Sequence, residues 1–514
     1  MTKITLITLG NDITANGLRI ISSYLKQHGH GVELIFLNFP NTELSKPVDE
    51  KLSRQIIELC KSSDIVGFSL MTNHFLISRD LTVSIKKKLD VPIIWGGIHP
   101  TVKPEECLDY ADMVCVGEGE EVMLELAEKI QNGHDLHDLN DIKNIHFKQD
   151  GAIVRNEVRP LESNLDKYPF QDYDIETHYV LRGNKIFRMT EHLLEEAMPK
   201  NKELDEVQVE YCLISTRNCP HNCTFCVNNA LRKIYVDKGK FVRKRSPEHI
   251  VREIESMKNR FPFIKQVLIT DDTFFIRNSE EIKKFCEYYQ QKINLPFRCY
   301  CSPTTLSEEK LRFMVDAGLF RISMGLQSFS AQTLTNVYKR QTPQDMIVEK
   351  VKTIDKFRDQ IRHPIYHFIV DNPYETKETR KETLKFALSL PYGSRIMLFP
   401  LVLFPGTELH EKAKKDGYLK KKEIDDLYLK LWSFENMKNN DYITCLLYLY
   451  NTLVSLSLLL KVKLPVTMIV GFLSIEPFVL CLDNKIFISL VTLASKHVSC
   501  FKAFLQKRRE SYAS

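Results

Sequence analysis

The sequence carries almost no excess of either charge. Its 71 Lys and Arg residues stand against 66 acidic ones, a formal +5 over 514 residues, and so weak a bias gives no support to nucleic acid as a partner. The opening MTKITLITLG lacks the charged, then apolar, then small pattern of a secretory leader, so the cytoplasm is the expected compartment. No internal repeat and no low-complexity tract stands out. Thirteen cysteines in a chain this long do not make a disulfide scaffold. In a reducing compartment the useful question is which of them lie close enough together to hold a metal, and only one group does.

Hydrophobic residues at 43% and charged residues at 27% are the balance of a folded soluble protein, and 514 residues exceed one ordinary core. Over 1–138, ITLITLG, GVELIFLN, IVGFSL, VPIIWGG and MVCVGEG read as strands. Amphipathic stretches between them give strand–helix alternation, the pattern of a doubly wound parallel sheet. Ligands of such sheets sit beyond the carboxyl ends of the strands, where Gly10, Asn11, Ser69, Gly96, Gly97, His99 and Glu118 fall. Residues 139–210, rich in Pro, Asp and Tyr, read as a linker with an exposed acidic helix. A second alternating region, 211–435, fits a partial or complete (β/α) barrel. The last stretch, 436–514, reads as an apolar helical tail. The expected fold class is therefore α/β throughout, with helices at the end.

The decisive segment is TRNCPHNCTFCVNN, where Cys219, Cys223 and Cys226 have CxxxCxxC spacing after the strand candidate YCLIST. Thiolates are soft ligands suited to iron–sulfur clusters and to zinc. Structural zinc would need a fourth ligand at finger-like spacing; His221 lies inside the loop, but no paired ligand follows it. Three cysteines leave one iron of a cubane without a protein ligand, open to a substrate or cofactor.

This motif, with the aromatic Phe225 just before the last cysteine, resembles the radical S-adenosylmethionine superfamily. The resemblance implies a [4Fe–4S] cluster on Cys219, Cys223 and Cys226, with S-adenosylmethionine chelating the fourth iron and cleaved by one electron to a radical that abstracts hydrogen from an unactivated carbon. RKRSPEHIVREI resembles the segment after the cluster loop in cobalamin-type members. By the same resemblance Phe225, Asp271 and Asp272 in LITDDTFF, Gly325 and Gln327 in SMGLQS, and Asp371 in VDNPYET are expected to contact S-adenosylmethionine, with FPGTEL at a last strand end. A plain helix cap is the alternative for the paired aspartates. Asn218 departs from the family, which often has glycine before the first cysteine.

IIWGGIHPTVKPEE and MVCVGEGEEV are similar to the cobalamin-binding half of the same subfamily, although glycine-rich strand ends alone say only "ligand", and a nucleotide would serve as well. GNDITANG keeps Asp12 and Gly17 but lacks the histidine of a DxHxxG motif. Base-off cobalamin without a protein histidine on cobalt is therefore expected, with His99 the one other candidate. A relic domain that has lost the cofactor is the alternative.

The apolar run ITCLLYLYNTLVSLSLLL is at the lower edge of what spans a bilayer. Helices covering the barrel or its open edge are the preferred reading, and peripheral membrane contact through the tail is the other. The function expected from the resemblance is methylation of an unactivated carbon or phosphorus. Radical rearrangement, coupling or oxidation with cobalamin is the first rival, and a non-catalytic cobalamin- or metal-binding protein the second. The implied partners are an electron donor such as flavodoxin or ferredoxin and a small-molecule or lipid substrate, which no residue pattern names.

Overall fold

The computed structural model describes residues 1–10, 12–39, 46–133, 139–201, 207–419, 442–460 and 466–474. Asn11 lies outside the described residues, as do the parts of the tail that hold Lys461, Lys463, Pro465, Glu476 and Pro477. The chain divides into two compact units. Of the described residues, one takes in those up to 272 together with 287–296 and 403–419, and the other 273–286, 297–402, 442–460 and 466–474.

The first unit opens with β1 (Lys3–Gly10), α1 (Asn16–Gln27), β2 (Gly31–Asn38), α2 (Glu50–Cys60), β3 (Ile65–Ser69), α3 (Phe75–Lys86), β4 (Ile93–Gly96), α4 (Ile98–Val102), α5 (Pro104–Cys107), β5 (Met113–Cys115) and α6 (Glu120–Gln131). The five strands are parallel in the order β5-β4-β3-β1-β2. Strands buried on both faces need continuous apolar runs, and residues 4–9 of β1 are buried without alternation. The doubly wound sheet is as expected. Its order reverses at β1 and β3, the crevice where such sheets take their ligands. One face of the core is built around Trp95, ringed by Phe68, Phe75 and the stacked Tyr110.

The stretch read as a linker is structured. β6 (Ile145–Gln149) and β7 (Ala152–Arg155) add antiparallel strands beside β5, while β8 (His178–Arg182) and β9 (Lys185–Arg188) extend the other edge beside β2. The sheet thereby reaches nine strands. Short strands with charged outer positions suit sheet edges, which is why their composition resembles that of a loop. The acidic segment forms α7 (Glu191–Ala197), capped by Thr190.

The same unit continues with β10 (Lys200–Asn201), β11 (Gln208–Leu213), β12 (Thr216–Arg217), α8 (Val227–Ile234), β13 (Arg243–Lys244), α9 (Pro247–Arg260) and β14 (Ile264–Ile269). β11 and β14 are parallel, and β12 pairs antiparallel with β13. Helix α9 starts where SPEH places a capping serine before proline. The Ser246 hydroxyl accepts the His249 N–H at 3.1 Å and Pro247 occupies the first turn, an arrangement worth about 1 kcal/mol.

After α10 (Ser279–Lys292), the second unit alternates β15 (Phe297–Cys301), α11 (Glu308–Asp316), β16 (Leu319–Gln327), α12 (Gln344–Asp355), β17 (Ile365–Val370), α13 (Lys377–Leu388) and β18 (Arg395–Pro400). Its four strands are parallel neighbours in sequence order, the βα repeat of a partial barrel. Helix α14 (Glu408–Lys415) returns to the first unit.

The tail provides α15 (Tyr442–Leu460) and α16 (Val466–Leu473). α15 packs on α13 and on β18, the last strand of the sheet, and buries Tyr442, Ile443, Leu446, Leu447 and Tyr450. Among the described residues no helix is long and apolar enough to cross a membrane. The apolar run thus covers a sheet edge, in line with the preferred reading.

Candidate functional site

Cys219, Cys223 and Cys226 lie on the loop between β12 and α8, with Cys226 capping α8. Cys223 is buried, and Cys219 and Cys226 are half-buried. Arg232 of α8 reaches back to the Cys219 carbonyl at 2.9 Å, and the Cys226 N–H donates to the Cys223 carbonyl at 3.0 Å. Burial, reinforced by nearby Asp272, pushes the Cys219 thiol up to about 12 and the Cys226 thiol to about 11. Such thiols keep their protons until a bound cation displaces them, and three of them on one short loop are a donor set that fits an iron–sulfur cluster. Among the described residues no three His, Cys, Asp or Glu side chains converge on a single ion position. A cubane differs from a mononuclear zinc site in spreading its thiolates over separate irons.

Asn218, the departure from the family pattern, has φ 66°. That left-handed conformation favours glycine and is tolerated by asparagine, so the substitution preserves the loop geometry. The Asn218 side chain accepts from Arg243 at 2.9 Å.

The two aspartates at the end of β14 have separate environments. Asp271 is fully buried and accepts from the Ser215 hydroxyl at 2.6 Å, the Thr216 N–H at 2.9 Å and the Ser215 N–H. It clamps the strand that enters the cysteine loop. Of the two aspartates expected at the cofactor, Asp271 thus has its carboxylate engaged inside the protein. Asp272 is exposed and accepts from Asn228 of α8 at 2.9 Å. The bulk of protein around it raises its carboxyl against the pull of Asn228, and Asp271 adds to the rise. Phe225 is half-buried on the same loop.

The FPGTEL segment closes on this loop. The Leu409 N–H donates to the Thr224 carbonyl at 2.8 Å, and the Glu408 N–H to the Asn229 side chain at 3.1 Å. Gly406, at φ 80°, packs tightly, since a Cβ there would sit 3.1 Å from Val102 and 3.4 Å from Ala230.

In the second unit, β16 ends in a register shift around Gly325–Gln327, and Gln327 is left-handed at φ 73°. A Cβ on Gly325 would lie 2.7 Å from the Gln327 amide, and Arg340 donates to the Gly325 carbonyl at 2.7 Å. Asp371, just past β17, is left-handed too, at φ 57°. Bulges and left-handed non-glycine residues at strand ends re-aim side chains, and they cluster at functional sites. Asp371 also adds to the burial that raises the Tyr448 phenol of the tail helix α15.

In the N-terminal sheet, Gly10, Ser69 and Gly96 end β1, β3 and β4. Ser69 is level with Thr8 on one side and with Gly96 on the other. Gly97 has φ 99°, and a Cβ there would meet the Leu70 backbone at 2.8 Å. His99 is 0% exposed. It sits against Phe75, with Nδ1 3.3 Å from the Thr72 hydroxyl, and burial, aided by Lys103, lowers it to about 4. The candidate imidazole is thus packed inside the fold. Asp12 accepts from the Thr14 N–H at 2.8 Å, fixing the loop after β1. Arg19 tightens that loop by donating to the Ile13 carbonyl at 2.8 and 2.9 Å from between the rings of Phe36 and Tyr173.

The Glu118 carboxylate is taken up by two arginines. Arg243 grips both of its oxygens, and Arg217 lies 3.0 Å from one of them. Burial alone would raise this carboxyl, but the two guanidinium groups hold it below its ordinary range. Arg217 also pairs with Glu120. Arg217, Arg243, Asn228 and Arg232 were not singled out from sequence. The signal was the basic RKR run together with the acidic GEGEE run, whose opposite charges suggest a pairing across 125 residues.

Residues 2–127 match the B12 binding domain and residues 213–387 the Radical SAM superfamily. An uncharacterized methyltransferase of Pyrococcus horikoshii is 27% identical over 364 residues, covering 69% of this chain and 70% of its own. The anaerobic magnesium-protoporphyrin IX monomethyl ester cyclase of Rubrivivax gelatinosus is 28% identical, over 71% of this chain and 60% of its own. The radical S-adenosylmethionine methyltransferase TsrM of Kitasatospora setae, solved with tryptophan and a cofactor analogue, shares the fold with a TM-score of 0.63. That match is 17% identical and covers 81% of this chain and 76% of that one. With a cobalamin-type sheet followed by a cysteine loop on βα units, the chain carries both a B12 binding domain and a Radical SAM domain.

Proposed function

We propose that this enzyme is a cobalamin-dependent methyltransferase acting on an unactivated carbon, or phosphorus, of a small molecule. The observation that carries the reading is the placement of three thiols, buried or half-buried on one short loop, in the same compact unit as a doubly wound sheet of cobalamin type. Cys219, Cys223 and Cys226 would hold the [4Fe–4S] cluster. Asp272, exposed beside them and oriented by Asn228, would receive the S-adenosylmethionine ammonium group. Phe225, Gly325, Gln327 and Asp371 are proposed as further contacts of that cofactor. Gly10, Asn11, Ser69, Gly96 and Gly97 would meet the corrin, with no protein histidine on cobalt. When bound, the cluster supplies the electron that cleaves S-adenosylmethionine, and cobalamin carries the methyl group. The side chains bind, orient and exclude water. The electron would come from a flavodoxin- or ferredoxin-class donor.

The cyclase relative, at 28% identity, favours a second reading, oxidative ring closure without methyl transfer. S-adenosylmethionine with a deuterated methyl group separates the two, using tryptophan and magnesium-protoporphyrin monomethyl ester as first substrates. Label in a product supports methyl transfer. A product that has lost hydrogen and carries no label supports ring closure.

A further inference from the structure

The loop after β5 and the loop carrying the cysteines are tied by a continuous run of hydrogen bonds. The Thr101 hydroxyl donates to the Gly97 carbonyl at 2.7 Å and accepts the Gly117 N–H at 3.0 Å. The next residue, Glu118, has its N–H on the Tyr235 phenol at 3.0 Å, immediately after α8. A Cβ on Gly117 would lie 1.9 Å from that phenol oxygen, so only glycine admits the contact. The Glu118 carboxylate is held in a two-pronged pair by Arg243, whose side chain is 1% exposed. Arg243 in turn donates to Asn218, the left-handed residue before Cys219.

We propose that Glu118 is a positioning residue for the cysteine loop, so that the N-terminal domain forms part of the cluster's housing. A bidentate carboxylate–guanidinium pair fixes orientation as well as distance. Here its far end holds the one residue of the loop whose backbone conformation is disfavoured for most side chains. Arg217, two residues before Cys219, is gripped by Glu118 and Glu120 in the same way. The loop is thus held from the N-terminal side at both Arg217 and Asn218. The inference rests on the reading of Cys219, Cys223 and Cys226 as cluster ligands, and it gives Glu118 a task on the cluster side rather than on the corrin.

The test uses the full chain, reconstituted anaerobically with iron and sulfide, as wild type, Glu118→Gln and Arg243→Lys. Three quantities are measured: the electron paramagnetic resonance spectrum of the reduced cluster with and without S-adenosylmethionine, the affinity for S-adenosylmethionine, and the affinity for hydroxocobalamin by absorbance. Glu118→Gln is expected to change the spectrum and weaken S-adenosylmethionine binding by about two- to thirty-fold, the range of such couplings, with hydroxocobalamin affinity unchanged. Arg243→Lys, which keeps the charge but loses the fork, is expected to show the same signature, and it decides the matter if Glu118→Gln does not fold. Wild-type spectra and S-adenosylmethionine affinity in the variants would overturn the proposal, as would lost hydroxocobalamin affinity with the cluster signals intact. A wild-type chain that assembles no cluster would instead overturn the reading on which the proposal rests.

Discussion

The Asn228 amide donates to the Asp272 carboxylate across 2.9 Å, joining the helix that follows the cysteine loop to the end of β14. The same amide nitrogen lies 3.8 Å from the Cys226 sulfur. Asp272 is thereby held beside the cysteines with its second oxygen available. Asp272→Ala should leave iron content unchanged and weaken S-adenosylmethionine binding by about tenfold or more, the worth of one charge-assisted hydrogen bond. Equilibrium binding to the reconstituted protein checks this, and unchanged affinity would make Asp272 a structural cap.

Asp271 should behave differently despite being its neighbour. Removing its carboxylate strands the buried Ser215 and Thr216 donors, so Asp271→Ala should cost about 3 kcal/mol of stability. Denaturant unfolding of the two alanine variants side by side tests the division of labour. Equal stabilities would refute it.

Asn218 offers a backbone test. Asn218→Gly should be tolerated because glycine adopts φ 66° readily. Asn218→Val should lose about 1–3 kcal/mol and reduce cluster yield, as a β-branched residue resists the left-handed region. Iron content and thermal unfolding of both variants check the order.

Much of this was legible in the sequence, and the reasons differ by feature. The cysteine triad was readable because its ligands fall within eight residues, and the strand ends were readable because parallel strands advertise themselves as uninterrupted apolar runs. The placement of β8 beside β2 was not, since residues 178–180 pair with residues 34–36 across more than 140 positions. Nor was the division between Asp271 and Asp272, where adjacent and chemically identical residues are separated only by which one meets Ser215. The pairing of Glu118 was hidden for the same reason: its strand-end position was visible, but its partner Arg243 lies far along the chain.

His99 predicts a pH dependence. Its folded-state value is about 4, against about 6.5 in an unfolded chain. Between those values the unfolded chain takes up a proton that the folded one refuses. The contribution of neutral His99 is therefore complete above about pH 6.5 and is lost as pH falls toward 4, by at most about 3 kcal/mol. His99→Gln should flatten the fall in unfolding free energy between pH 7 and pH 5, and an unchanged slope would contradict the assignment.

The most direct test of the central claim is anaerobic reconstitution of wild type and Cys223→Ala with iron, sulfide and hydroxocobalamin, followed by reductant and S-adenosylmethionine, assaying 5′-deoxyadenosine and bound corrin in the same samples. The account predicts both signals in the wild type, and bound corrin without 5′-deoxyadenosine in Cys223→Ala, because two thiolates do not hold a cubane. A wild-type protein that binds neither iron nor corrin, or a Cys223→Ala variant that still releases 5′-deoxyadenosine, would contradict it.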